Sequence, residues 1–345
     1  MPAEISWSAV LHFCCWTLWR IWQVVSWLQH RMQAEDRLTF DPLLLVGLRP
    51  RTVQAYQREV RALLLFARAR SLPLESFADL ERALVALSGE GRASRAQFEK
   101  LLAALECAVP ACKGRLPWAR ARLRAWQRIS PPKHTVPMPW RVALAVAYAM
   151  AAMGHSRVGA LVLLQWACGL RPGEVLGLTR GDLLPPALNH SAPGEGLVVL
   201  GARHGTKARR AQSARLLPSE SEGSVGLCIL RAFVATTPKA TQALSAVYSV
   251  SVYNRLLRKA CQRAGVAEHG FTPHSMRAGW ASELRMRGVP FTELKERGRW
   301  ISDSSLRTYL DAVTTARINL LVPQADAVAT YLSMDFAKLY PWWQD

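Results

Sequence analysis

The sequence predicts a mainly α-helical protein with one small antiparallel β-sheet, an α+β chain of two domains. Three observations predict it. Apolar residues recur at three- and four-residue spacing through 48–130, the period of helices with one buried face. Four prolines crowd into 131–139, a run that cannot continue a helix and reads as an extended, semi-rigid linker. Beyond it, only 195–217 reads as a β-hairpin, set among helical segments.

Composition bounds the function. A chain of 345 residues can bury two cores without disulfide staples. Lysine and arginine number 44 against 25 aspartates and glutamates, a net charge of +19. Such an excess predicts a polyanionic partner, nucleic acid or an anionic membrane surface. The basic residues are mixed with Leu, Ala, Val and Trp, which describes a folded basic protein and not a disordered tail. Seven cysteines form no CxxC pair, so the pattern fits reduced thiols in a cytosolic, nuclear or nucleoid compartment and argues against structural zinc.

Taken in order, residues 1–40 form an apolar extension with no assigned role. Its run over 5–29 is interrupted by Arg20, short of the roughly 18 uncharged residues of a membrane span. Neither a basic leader nor a small-residue cleavage site marks it as a signal peptide, so no membrane partner is expected. Thr52 can cap a helix whose Val53, Tyr56, Val60, Leu63, Leu64 and Ala67 share a face. Arg51, Arg58 and Arg61 fall mostly off that face. Helical segments follow at 73–88, 92–107 and 117–129. In the last, Arg120, Arg122, Arg124 and Arg128 alternate with Trp118, Leu123 and Trp126. These arginines read either as a solvated basic face or as a clamp on DNA phosphates, which neutralises charge without reading sequence.

The second domain spans 140–322. A strongly apolar helix is expected over 140–168, closed by Gly169. Pro172 suits the first turn of the next helix, which leaves Arg171 at the junction. Glu174, three residues on, can orient that guanidinium; a purely structural Arg171–Glu174 pair is the alternative. Strands 197–200 and 214–217 flank a long basic turn in which Lys207 is the single lysine and His204 a competitor. Helices resume at 223–235 and 246–264. Residues 271–311 then bring His274 and Arg277 onto one helical face behind Pro273. A short second helix runs to Gly298, and Arg299-Trp300 occupies the next turn. A third helix, capped by Ser302 or Asp303, carries Tyr309. The tail over 323–345 holds an apolar segment behind Pro323.

Arg171 within GLRPGEVLGL, Lys207 in a hairpin, His274-Ser275-Met276-Arg277, Trp300 within GRW and Tyr309 nine residues later together resemble the tyrosine recombinases, the phage-integrase family. The likeness spans roughly 48–320. It implies a helical core-binding domain at 48–130, a catalytic domain at 140–322, and a site-specific recombinase or integrase of mobile elements. Arg171 and Arg277 would hold the non-bridging oxygens of the scissile phosphate. His274 would assist proton transfer, Lys207 would protonate the departing 5′-oxygen, and Tyr309 would form a 3′-phosphotyrosyl link. Glu174 would support Arg171. Trp300 stands where many members have a second histidine, a variant that looks like the one in Cre recombinase. The partner would be double-stranded DNA, held by a tetramer that docks through the C-terminal tail.

The residue types make chemical sense without that likeness. A phenol with a pKa near ~10 attacks at neutral pH only if its proton is taken and fixed cations meet the phosphorane's charge. Arginine stays charged and forks onto two oxygens, so two arginines can do what metal ions do in a nuclease. A phosphotyrosine ester retains the energy of the broken bond, so rejoining needs no nucleotide, and no metal or cofactor is expected. Relaxation of DNA in the manner of a type IB topoisomerase, or DNA binding by an inactive mobile-element remnant, would use many of the same residues.

Overall fold

A computed structural model describes residues 48, 50–130, 135–186, 194–201, 212–245, 247 and 249–321. The extension over 1–40, Lys207 and His204 in their turn, part of the linker and the tail over 323–345 lie outside them. The chain divides into two compact units, Met1–Lys133 and His134–Asp345. Among the described residues no helix is long and apolar enough to cross a membrane.

Among the described residues the first unit holds four α-helices, α1 (Pro50–Ala69), α2 (Phe77–Gly89), α3 (Arg95–Ala108) and α4 (Pro117–Ile129). Helix α1 begins before Thr52, the expected cap, because Pro50 already suits a first turn. Ser76 with Asp79 and Ser94 with Gln97 form capping boxes on α2 and α3. Helix α4 has no such cap; Glu81 on α2 accepts its Trp118 and Ala119 N–H groups at 2.7 and 3.1 Å. Leu63, Leu80, Leu84, Phe98, Leu102 and Leu123 meet in one core.

The second unit opens with α5 (Trp140–Ala152) and α6 (Ser156–Ala167). A single helix over 140–168 was expected, and the difference is local. Gly154 at φ 80° breaks it into an antiparallel pair, and no apolar spacing announces that break. Helix α7 (Pro172–Leu176) follows, then strands β1 (Leu183–Leu184), β2 (Gly196–Leu200) and β3 (Gln212–Leu216) in antiparallel order β1-β2-β3. The hairpin falls within a residue or two of its expected bounds, pairing Val198 with Ala214; β1 is a third strand that two residues are too short to signal. Val198, Leu200, Ala214 and Leu216 face the core. Helices α8 (Ser221–Thr236), α9 (Val250–Arg263), α10 (Ser275–Met286), α11 (Phe291–Arg297), α12 (Asp303–Arg307) and α13 (Ala312–Leu321) follow among the described residues.

Helix α10 is central, and the residues leading into α5 run against it. Met138 donates its N–H to the Ser275 carbonyl at 2.9 Å and accepts from the Trp166 indole at 2.8 Å. The approach is so close that a Cβ on Gly279 would lie 1.7 Å from the Met138 oxygen. Gly279→Ala is therefore expected to destabilise the unit by about 3 kcal/mol, because backbone and not a movable side chain blocks the methyl. Thermal unfolding measures this, and an unchanged melting temperature would contradict the packing.

Candidate active site

Three chain segments converge on the carbonyl of Gly169. Helix α6 ends at Ala167, and Gly169, in the left-handed region at φ 54°, turns the chain toward α7. Arg171 sits in extended conformation as the residue before Pro172, the geometry a following proline favours. Its N–H donates to Glu174 Oε2 at 2.8 Å and its Nη1 to Glu174 Oε1 at 2.5 Å. Glu174 thus grips Arg171 by backbone and side chain together.

Arg277, in the first turn of α10, is fully buried at 0 % exposure. Its Nη1 donates to the Gly169 carbonyl and its Nη2 to the Gly298 carbonyl. The Trp300 ring centre lies 4.0 Å from the guanidinium carbon and the Tyr309 ring centre 5.8 Å, close enough for the ring faces to attract the cation. Trp300 and Tyr309 are themselves 5.5 Å apart between ring centres, and Trp280 stacks on the far side of Trp300. What the indole presents to Arg277 is its π-face. Burial pushes the Arg277 guanidinium below its ordinary pKa, and repulsion from Arg171 and Arg299 adds to that. A cation held at such cost favours an anion nearby.

Tyr309 was expected in the body of a helix. Helix α12 instead stops at Arg307, capped at its start by Ser302, and Tyr309 lies in the turn beyond. The turn is held by Ser282 of α10, whose hydroxyl donates to the Tyr309 carbonyl and accepts from the Asp311 N–H, each at 3.1 Å. His274 is the exposed residue that precedes α10, one turn from Arg277. Arg171, Glu174, Arg277, Trp300 and Tyr309 come together, with His274 at the head of the same helix; Lys207 lies outside the described residues.

Two contributors were missed. Arg299 is 8 % exposed and sits at φ 60°, a left-handed conformation costing a non-glycine residue about 1 kcal/mol. Its Nη2 reaches Glu174 Oε2 at 3.1 Å and the Gly169 carbonyl at 3.4 Å, and its own carbonyl accepts from Arg171 Nη2 at 3.5 Å. Burial pushes the Glu174 carboxyl up, but Arg299, the Arg171 N–H and the Arg171 guanidinium outweigh it and hold the carboxyl below its usual range. The other is Gln165 on α6, a fully buried amide in an otherwise apolar run. It donates to the Leu170 carbonyl at 3.2 Å and the Pro273 carbonyl at 2.7 Å, and accepts from the Tyr253 hydroxyl at 2.7 Å. The residues just before Arg171 and His274 are thereby fixed to one side chain. Tyr253→Phe leaves the Gln165 oxygen buried and unpaired, an expected loss of about 1–2 kcal/mol by chemical denaturation; wild-type stability would refute the network.

On the first unit the arginines divide. Arg58 pairs with the buried Glu59 at 2.9 Å, and Arg120 chelates Glu106, with Nε at 2.8 Å from Oε1. Arg61, Arg124 and Arg128 are exposed, and Arg122 is half-buried. Arg51 lies in the first turn of α1. Trp118 is 73 % exposed on α4, the helix of Arg120, Arg122, Arg124 and Arg128. Among the described residues no group of His, Cys, Asp and Glu is arranged to hold a metal.

No family model matches the chain. A curated relative, tyrosine recombinase XerC of Nitrobacter winogradskyi, is 26 % identical over 296 residues, covering 79 % of this chain and 84 % of the relative. Among solved structures, the Tn1549 transposon integrase in complex with transposon right-end DNA superposes with a TM-score of 0.52 at 15 % identity, over 79 % of this chain and 94 % of that one. The same integrase with circular intermediate DNA gives 0.52 at 16 % identity over the same shares. The fold, mostly helical with a three-stranded antiparallel sheet among the described residues, matches that of this integrase. In sequence the chain is similar to a tyrosine recombinase, and in fold to a transposon integrase.

Proposed function

We propose that the chain breaks and rejoins double-stranded DNA at defined sites through a 3′-phosphotyrosyl intermediate on Tyr309. The observation that carries this reading is the gathering of Arg171, Arg277, Trp300 and Tyr309 around one buried positive centre, from segments up to 138 residues apart. In the reaction the phenol oxygen attacks phosphorus and its proton passes to a base, for which His274 is the candidate. The bond to the 5′-oxygen breaks, and Lys207 supplies the proton that makes it a hydroxyl. Arg171 and Arg277 meet the charge that builds on the phosphorane's equatorial oxygens. Rejoining reverses these steps, so the chemistry uses only the chain's own side chains. Arg51, Arg58, Arg61, Arg120, Arg122, Arg124 and Arg128 would contact backbone phosphates; for Arg58 and Arg120 that requires sharing with Glu59 and Glu106. Assembly as a tetramer through 323–345 belongs to the same reading. Both Tn1549 integrase structures are complexes with DNA, which supports DNA as the partner here.

The test uses nicked duplexes randomised around the nick, incubated with the full chain and run on denaturing gels. Adducts that survive detergent and vanish with protease are expected, and sequencing them gives the site. No adduct from any duplex would overturn the reading. Relaxation of plasmids lacking the captured site would point to a topoisomerase instead.

A further inference from the structure

The site carries a third arginine, itself buried, to which the reaction above assigns no task. Arg299 holds a left-handed backbone at φ 60°, where glycine would be unstrained, and its guanidinium spans Glu174 and the Gly169 carbonyl. Charge accounting shows what it changes. Arg171 and Glu174 alone cancel, leaving Arg277 as one net positive charge. With Arg299 the cluster of four carries two. Each Glu174 oxygen is then occupied: Oε1 by Arg171 Nη1, Oε2 by the Arg171 N–H and Arg299 Nη2. The Nε–H groups of Arg277 and Arg299 are buried without a hydrogen-bond partner.

We infer that Arg299 is a positioning residue that offsets the Glu174 carboxylate, so that Arg171 is oriented by Glu174 without being neutralised by it and a phosphate meets two net positive charges. This deepens the proposed function and, for its meaning in catalysis, rests on that reading. A purely structural Arg299 would stabilise the turn before Trp300 and leave anion affinity alone. The electrostatic one must change affinity, and the change must be reversed by removing the carboxylate's charge.

Inorganic phosphate is the probe, titrated at matched ionic strength with potassium chloride as control, with the melting temperature of the full chain as readout. Arg299→Gly relieves the backbone strain while deleting the charge, and is expected to weaken phosphate binding about tenfold. Arg299→Lys, which retains the charge, should recover most of it. Glu174→Gln added to Arg299→Gly should restore affinity to within about threefold of wild type, because both opposing charges are then gone. Arg299→Asn, also tolerant of the left-handed region, replaces the glycine variant should that one fail to fold. Unchanged affinity in Arg299→Gly, or no recovery in the double variant, overturns the inference. Covalent capture of DNA is run alongside on the same proteins. If phosphate binding follows the expected pattern while even the wild-type chain captures no DNA, Arg299 acts as inferred and the recombinase reading is what fails.

Discussion

Tyr309→Phe is expected to yield no covalent protein–DNA adduct while binding duplex DNA as tightly as the wild-type chain. The phenol oxygen is the only atom removed, and it is the atom that would form the ester. Losses on deleting a nucleophile reach roughly 10⁴–10⁶-fold, beyond the sensitivity of a gel assay. The aromatic ring stays, so its packing against Trp300 and its place over Arg277 persist, and stability should hold. On the proposed reading, binding to DNA would draw on many dispersed arginines and should keep a steep salt dependence. The check pairs denaturing gels with equilibrium binding at two salt concentrations. An adduct of wild-type yield in the phenylalanine variant would move the nucleophile elsewhere.

Arg277→Gln should lower the rate of single-turnover cleavage by about 10²–10³-fold, the effect of removing one preorganised donor from a developing oxyanion. Glutamine keeps part of the volume and an amide that can donate to one of the two carbonyls, Gly169 or Gly298, that the guanidinium serves. DNA affinity should fall only slightly, with the salt slope reduced by about one, since one phosphate contact among many is lost. Stability is a balance: a hydrogen bond disappears, but so does a charge whose burial is unfavourable. Rapid-quench kinetics on a captured duplex separate the two effects. Cleavage at the wild-type rate would show that Arg277 is a scaffold for Trp300 and not a phosphate ligand.

How legible was this molecule in its residues? The helices of the first unit were, because apolar spacing acts locally: the segments expected over 73–88, 92–107 and 117–129 are observed as Phe77–Gly89, Arg95–Ala108 and Pro117–Ile129. The hairpin was as well, since Val198 and Leu200 alternate with their neighbours in burial. Order along the chain brought Arg171, Arg277, Trp300 and Tyr309 to notice as a set. What escaped depends on backbone angles and long-range pairs. Arg299 stood inside the quoted GRW motif, yet a positive φ at a non-glycine residue leaves no mark in composition, and its partner Glu174 is 125 residues away. Gln165 offered a fainter clue, one amide in an apolar helix; its partners Tyr253 and Pro273 are 88 and 108 residues distant. The turn holding Tyr309 was misread as helix because Tyr309 keeps helical spacing from Leu306 although the helix ends at Arg307.

The Gln165 amide has one more consequence. Its nitrogen and oxygen join the ends of three helices at a single rigid plane, with Leu170 and Pro273 both hanging from the same NH₂ group. A tilt of α6 would therefore pull on the segment before Arg171 and on the start of α10 through one and the same group.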